Sequence, residues 1–199
     1  MRVISIYSHK NGESFIRKHW HNELEEIFNI ISAIDAESLR SKKSKEKTMR
    51  RRMLYSPKAL NKAFKAEFAK LGWEKARIQM VTSVELSAKI PPAIIAKYTT
   101  THKGFREIDF TKNKLGVEVQ FGKYAFMVYN VLAKMTVFHK RECIDAGVEI
   151  VPMRRMTAKG QMSTGVSYFE QMKGDLETRG IADLDIPVIV LGIDSDSPP

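Results

Sequence analysis

The run IPVIVLGI, Ile186 to Ile193, constrains this chain most. It has no polar face, so as a strand it must be buried on both sides. Such a strand needs helices over both faces of its sheet, and the sequence supplies them at the right period. Trp20, Leu24, Ile27, Phe28, Ile31 and Ile34 recur at helical spacing and predict an amphipathic helix over about residues 20–35. Leu60, Phe64, Phe68 and Leu71 form a second stripe, in a helix that Ser56 caps, Pro57 opens and Gly72 ends. A mostly apolar helix is expected from about Tyr124 to Lys140, either central in the core or part of a subunit interface. VISIY near the start and VEIVPM further on read as strands. The loop TAKGQMSTGVS leads into a last helix starting near Tyr168. Helices interleaved with a mixed sheet predict an α/β fold of three layers, α/β/α.

The chain has 199 residues, which suits a single domain. Its hydrophobic fraction of 43% is ample for a core and excludes a disordered composition. A formal charge of +10 favours a polyanionic partner, nucleic acid before an anionic membrane surface. The single cysteine, Cys143, cannot form an internal disulfide and fits a reducing compartment. The apolar runs are too short for a signal peptide or a membrane span, so a soluble, cytoplasmic protein is the expectation.

Charge is concentrated in RSKKSKEKTMRRR, residues 40–52, with eight basic side chains against one acid, Glu46. Without those eight, the formal charge falls from +10 to +2. One reading is a solvated loop; the other, which the overall charge favours, is a DNA-contacting segment. There Arg50, Arg51 and Arg52 would meet phosphates and add affinity without sequence preference. Residues 73–104 mix a proline break with a short helical pattern and read as an insertion or lid.

The stretch DFTKNKLGVEVQF, Asp109 to Phe121, carries the chemistry. FREIDF and GVEVQF flank the polar TKNK and predict an antiparallel hairpin. Val117, Val119 and Phe121 alternate with Glu118 and Gln120, so Glu118 and Gln120 share a face. Glu118 either faces solvent or is buried, and burial costs several kcal/mol unless the carboxylate is paired or metal-bound. Across a tight turn Asp109 and Glu118 approach each other. Two carboxylates there make a hard, oxygen-rich site of the kind Mg²⁺ prefers. A pair of acids in a strongly basic protein makes sense if a cation bridges them to a polyanion. Asp, a short spacer and then Glu-x-Lys is the core of many Mg²⁺-dependent nucleases. Here Gln120 replaces the Lys.

That departure narrows the resemblance. The segments IDAE (34–37), SKEKT (44–48), LYSP (54–57), EVQFGKY (118–124), GVEI with PM (147–153) and GVSYFE (165–170) are similar to type II restriction endonucleases of the BstYI/BglII group, on the BstYI side of it. The resemblance covers most of the chain and is weakest over 73–104. It implies a restriction-endonuclease-like core and a homodimer that cuts double-stranded DNA at a GATC-centred palindrome. R/GATCY is favoured and strict AGATCT is the alternative, with four-base 5′ overhangs and 5′ phosphates. It also implies a companion DNA methyltransferase. On this resemblance Asp109, Glu118 and Gln120 are the catalytic residues. Asp109, Glu118 and the Val119 carbonyl would hold Mg²⁺, and the Gln120 amide would orient the attacking water. Lys123 would reach guanine edges, and the loop Ser163, Thr164, Gly165, Val166, Ser167 would carry the remaining base reading, its small hydroxyl residues allowing close approach. Without the resemblance, Lys123 reads equally as a phosphate contact and the loop as a helix-preceding segment with Ser167 as N-cap.

A non-catalytic DNA-binding protein is the main competing class, but it leaves Asp109 and Glu118 without a purpose. A repair nuclease on the same core is the other. His19 and His21 flank Trp20 and, on one helix, would point about 200° apart. They read as surface residues, and His139 reads as structural or phosphate-directed.

Overall fold

A computed structural model describes residues 1–87, 89–98, 100–123, 127–178 and 185–195, with the backbone alone for 127–132. The apolar run forms β8, Val188–Asp194, and every residue of it is buried. Two further strands are equally enclosed, β6 (Leu115–Val119) and β7 (Ala146–Pro152). These three form the parallel centre of a six-stranded mixed sheet. β1 (Arg2–His9) runs antiparallel outside β8. β5 (Thr101–Lys112) and β4 (Glu74–Ser83) continue antiparallel beyond β6, so the order is β1-β8-β7-β6-β5-β4.

Alternate side chains of β8 feed two separate cores. Ile189, Leu191 and Ile193 pack with α1 (Gly12–His19), α2 (His21–Ala33) and α3 (Pro57–Lys70) through Ile16, Leu24, Ile27, Leu60, Phe64 and Phe68. Val188 and Val190 pack with α5 (Met127–Lys140) and α7 (Phe169–Thr178) through Met135, Phe138, Phe169, Met172 and Leu176. Two short helices, α4 (Pro92–Ile95) and α6 (Arg154–Ala158), lie in connections. The expected three-layer α/β/α arrangement is the one observed. α1 lies so close to the sheet that a Cβ on Gly12 would come within 2.4 Å of the Val188 carbonyl oxygen.

Several expectations change. The helix predicted over 20–35 starts at His21, and a separate helix precedes it. Trp20 sits in the break and donates its indole N–H to the Asn113 carbonyl at 2.7 Å, so tertiary bonding ends the helix there. His19 and His21 are both exposed, on different helices. α3 begins as expected, with Ser56 Oγ accepting from the Ala59 amide and Gly72 at φ 75°, but Leu71 is 40% exposed and leaves the stripe. The basic segment is structured: Lys42–Lys43 pairs with Met53–Leu54 around a 3₁₀ turn at Lys47–Met49. Residues 73–104 contain an extended ribbon, Glu74–Ser83 against the start of β5 at Thr101, joined by a connection that carries α4. β4 and β5 stay paired from Ala76↔Ile108 out to Ser83↔Thr101, while β5 meets β6 only from Phe110 to Lys112. Within the apolar helix, 124–126 lie outside the described residues, and Met135 and Phe138 are fully buried in the chain's own core. That face is therefore unavailable to a partner.

Candidate active site

The predicted β5–β6 hairpin turns on Asn113 and Lys114, at φ 47° and 64°. Two consecutive left-handed residues make the tight hairpin turn that matches strand twist. The ladder from this turn is short, and its last pair is Phe110↔Val117. Beyond it the strands separate, leaving Asp109, Glu118 and Val119 around a gap. Asp109 Oδ2 takes the place of a ladder acceptor and receives the Val119 N–H at 3.2 Å. In a strand the N–H and C=O of one residue point to the same side. The Val119 carbonyl therefore faces the Asp109 gap, while the next amide, Gln120, donates to the Ile150 carbonyl on β7 at 2.9 Å.

A β-bulge aims Asp109. Glu74 pairs with Thr111 and Ala76 with Ile108, so Asp109 and Phe110 together oppose Lys75 alone. The extra residue switches the strand's parity: Ile108 packs in the α5/α7 core and Phe110 in the α1–α3 core, although they are two residues apart. A cleft of about 200 Å³ opens over Asp109, with Asn61 and Lys65 of α3 and Lys75 of β4 at its rim.

Glu118 is 5% exposed, which decides between the two readings of its strand face. Its Oε1 forms an ion pair with Lys134 Nζ of α5 at 2.8 Å. Burial, and then the Asp109 charge, push the Glu118 carboxyl up to about 8 against the opposing pull of Lys134. Behind it lies a residue that sequence reasoning missed. Glu149 is the direct cross-strand partner of Glu118 in the parallel β6–β7 register. It is wholly buried, and among the described residues neither carboxylate oxygen has a hydrogen-bond partner. Burial first and Glu118 second hold its carboxyl well above the usual range. A signal was present: Gly116-Val117-Glu118 and Gly147-Val148-Glu149 are the same tripeptide on two strands. Lys134 carried no such signal, because its role depends on how α5 crosses the sheet.

This set fits a divalent cation. The Glu118 carboxylate, the Asp109 carboxylate and the Val119 carbonyl are hard oxygen donors at one gap. Among the described residues no three His, Cys, Asp or Glu side chains form a metal cage by themselves. Phosphate and water would complete the shell, as is usual for Mg²⁺.

The residues expected to read DNA lie just past the active-site strand. Lys123 is exposed and forms a β-bridge with Val166, and the Ser167 amide donates to the Gly122 carbonyl at 3.2 Å. The Ser163–Ser167 loop is thus joined to the chain three residues after Gln120. Lys42, Glu46, Lys123, Ser163 and Gly165 line one cavity of about 350 Å³. The basic hairpin holds this loop: Lys42 Nζ donates to Ser163 Oγ at 2.6 Å, and Glu46 accepts from the Thr164 hydroxyl at 2.9 Å and from its amide at 3.2 Å. Ser167 is fully buried and its hydroxyl has no hydrogen-bond partner, so it does not act as an N-cap. Arg50, Arg51 and Arg52 are exposed on the hairpin, and Arg52 also covers Gly160. His139 donates its Nδ1–H to the Ile144 carbonyl at 2.9 Å, a structural contact.

A mixed sheet between helical layers, with an Asp and a Glu at the splayed end of a hairpin, defines a metal-dependent nuclease core. The family of restriction endonucleases BglII/BglIII matches residues 4–193, and the chain belongs to that family. It is a type II restriction endonuclease, a site-specific deoxyribonuclease, and the family generally uses a divalent metal. Among solved structures it is similar to BglII complexed with a DNA 16-mer, with TM-score 0.67 and 19% identity over 99% of this chain and 79% of that one. Free BglII gives TM-score 0.61 and 17% identity over 100% and 82%. No curated protein matches the chain. Among the described residues no helix is long and apolar enough to cross a membrane.

Proposed function

We propose that the enzyme uses Mg²⁺ to cut double-stranded DNA at R/GATCY, leaving four-base 5′ overhangs and 5′ phosphates, with strict AGATCT as the alternative site. The observation that carries the reading is the splayed end of β5 and β6, where Asp109, Glu118 and the Val119 carbonyl face one gap beside a lysine-rimmed cleft. The resemblance to the BstYI side of the family supports the degenerate site. Sequencing the ends of plasmid fragments made in Mg²⁺ tests it: one short palindrome at every end is expected. Retarded but intact plasmid would indicate a binding protein, and unrelated ends a repair nuclease.

Asp109 and Glu118 hold the cation, and the Gln120 amide orients the attacking water. Gln120 cannot accept that water's proton, which passes to solvent or to a neighbouring phosphate. A metal held there would, when bound, supply charge neutralisation at the phosphate and a lowered pKa for the water. The water oxygen bonds to phosphorus as the bond from phosphorus to the 3′ oxygen breaks; the 3′ oxygen takes a proton from solvent water and leaves as a hydroxyl, and the phosphate stays on the 5′ side.

Lys123→Ala should be a specificity variant, and the arginines of the hairpin should not. Removing a donor to a guanine edge costs about 1–3 kcal/mol on cognate duplex and little on random duplex. Replacing Arg50, Arg51 and Arg52 should weaken both about equally and flatten the salt dependence. The cognate-to-random affinity ratio at two salt concentrations reads both; parallel losses for Lys123→Ala would make it a phosphate clamp and leave base reading to the Ser163–Ser167 loop.

A staggered cut on a palindrome requires two copies of the site about a two-fold axis. Light scattering should give a dimeric mass on cognate duplex. A monomer, free and bound, would refute the dimer.

A further inference from the structure

We propose that Lys134 is the active site's own cation: from α5 it fixes Glu118 in place and offsets the charge of the Glu118–Glu149 pair, acting as a positioning residue for cleavage. This rests on the reading of Glu118 as a metal-holding carboxylate.

Lys134 lies on the wrong face of its helix for a solvated lysine. Phe138, one turn on, and the adjacent Met135 are both fully buried, and the Lys134 side chain itself is only 19% exposed. A lysine that deep is rare unless paired, and its partner is Glu118 Oε1 at 2.8 Å. Buried ion pairs seldom raise stability above what apolar side chains of the same volume would give. An apolar residue at position 134, beside Phe138 and Met135, would serve the core better, so packing does not account for the lysine.

Charge accounts for it. Glu118 and Glu149 face each other directly across β6 and β7, both buried. Like charges opposite one another in a sheet repel, and Asp109 adds a third acid at the same strand ends. The arriving phosphate adds further negative charge. The strand offers no cation of its own, because Gln120, on the Glu118 face, is neutral. The lysines at the cleft rim, Lys65 and Lys75, are exposed, and Lys75 already pairs with Glu107 at 2.8 Å. Lys134 is the buried cation beside Glu118. It approaches from the helix side and leaves the Asp109 side of the gap to the metal.

Two measurements on the full-length enzyme test this. In the first, Lys134→Ala should lower single-turnover cleavage of a duplex carrying the mapped site at least about tenfold, with binding of that duplex in Ca²⁺ within about threefold of wild type. Lys134→Arg should keep most of the cleavage. In the second, melting in EDTA at pH 8, Lys134→Ala should lower the midpoint by several degrees. Adding Glu149→Gln should recover at least half of that loss, because the buried acid that faces Glu118 across the sheet is gone. Cleavage by Lys134→Ala within tenfold of wild type overturns the proposal. So does a loss that neither the arginine variant nor the Glu149→Gln background repairs, which makes Lys134 a packing residue. Glu118→Ala separates the two readings: wild-type cleavage by that variant refutes the metal site, while the EDTA melting still reports on the Lys134 pair.

Discussion

Asp109→Asn and Glu118→Ala should each reduce plasmid cleavage on the order of 10³-fold or more, while specific binding in Ca²⁺ persists or tightens. The size follows from what each carboxylate does. On the proposed reading Asp109 would supply one anionic ligand, and through the Val119 amide it holds the β6 backbone so that the Val119 carbonyl faces the same gap. Glu118 would supply the other ligand from a buried position. Losing either weakens the hold on a cation that both neutralises the phosphate and activates the water. Binding moves the other way, because removing a carboxylate relieves repulsion from the DNA backbone. Plasmid cleavage and gel shift measure the two effects separately. Full cleavage by either variant would remove that residue from the active site.

The metal-free enzyme should become less stable as pH rises from about 5.5 to 8.5. Glu118 is pushed from 4.5 to about 8 in the fold, chiefly by burial. The unfolded chain gives up that proton near pH 4.5, so across the window the folded chain binds more protons than the unfolded one. The stabilisation is complete below about pH 4.5 and fades as pH rises through about 8. Each pKa unit is worth 1.36 kcal/mol, so the total is on the order of 3–5 kcal/mol, shared in practice between Glu118 and the coupled Glu149. For a chain of this size that is roughly a 10 °C fall in melting midpoint. Mg²⁺ held by Glu118 as proposed would select the ionised carboxylate, so its stabilising effect should be largest at the alkaline end. Scanning calorimetry in EDTA across this range tests the point. A midpoint that rises with pH, or a slope unchanged in Glu118→Gln, would assign the behaviour to other groups.

Much of the sheet was legible because local rules and the fold agree there. β8 had to be central from its unbroken apolar run, and the α3 boundaries follow from Ser56, Pro57 and Gly72. The Asp109–Glu118 approach was legible because a two-residue turn ties nearby residues together. Contacts between distant segments were not. Glu149 meets Glu118 only through a parallel crossover, and Trp20 breaks a helix to reach a carbonyl 93 residues away. The basic segment read as a loop because its pairing and its bonds to Ser163 and Thr164 leave no periodic trace.

The bulge opposite Lys75 has a consequence for how this site can be moved or rebuilt. It works as a parity counter: one surplus residue lets Ile108 and Phe110 serve opposite cores while the carboxylate between them meets the gap. A tidy strand of matched length, pasted in from a regular sheet, would turn one half of its side chains inside out. Either Ile108 would lose its core or Phe110 would. A transplant of this hairpin therefore has to carry β4 with it, since the irregularity is written in the pairing of two strands and in neither one alone.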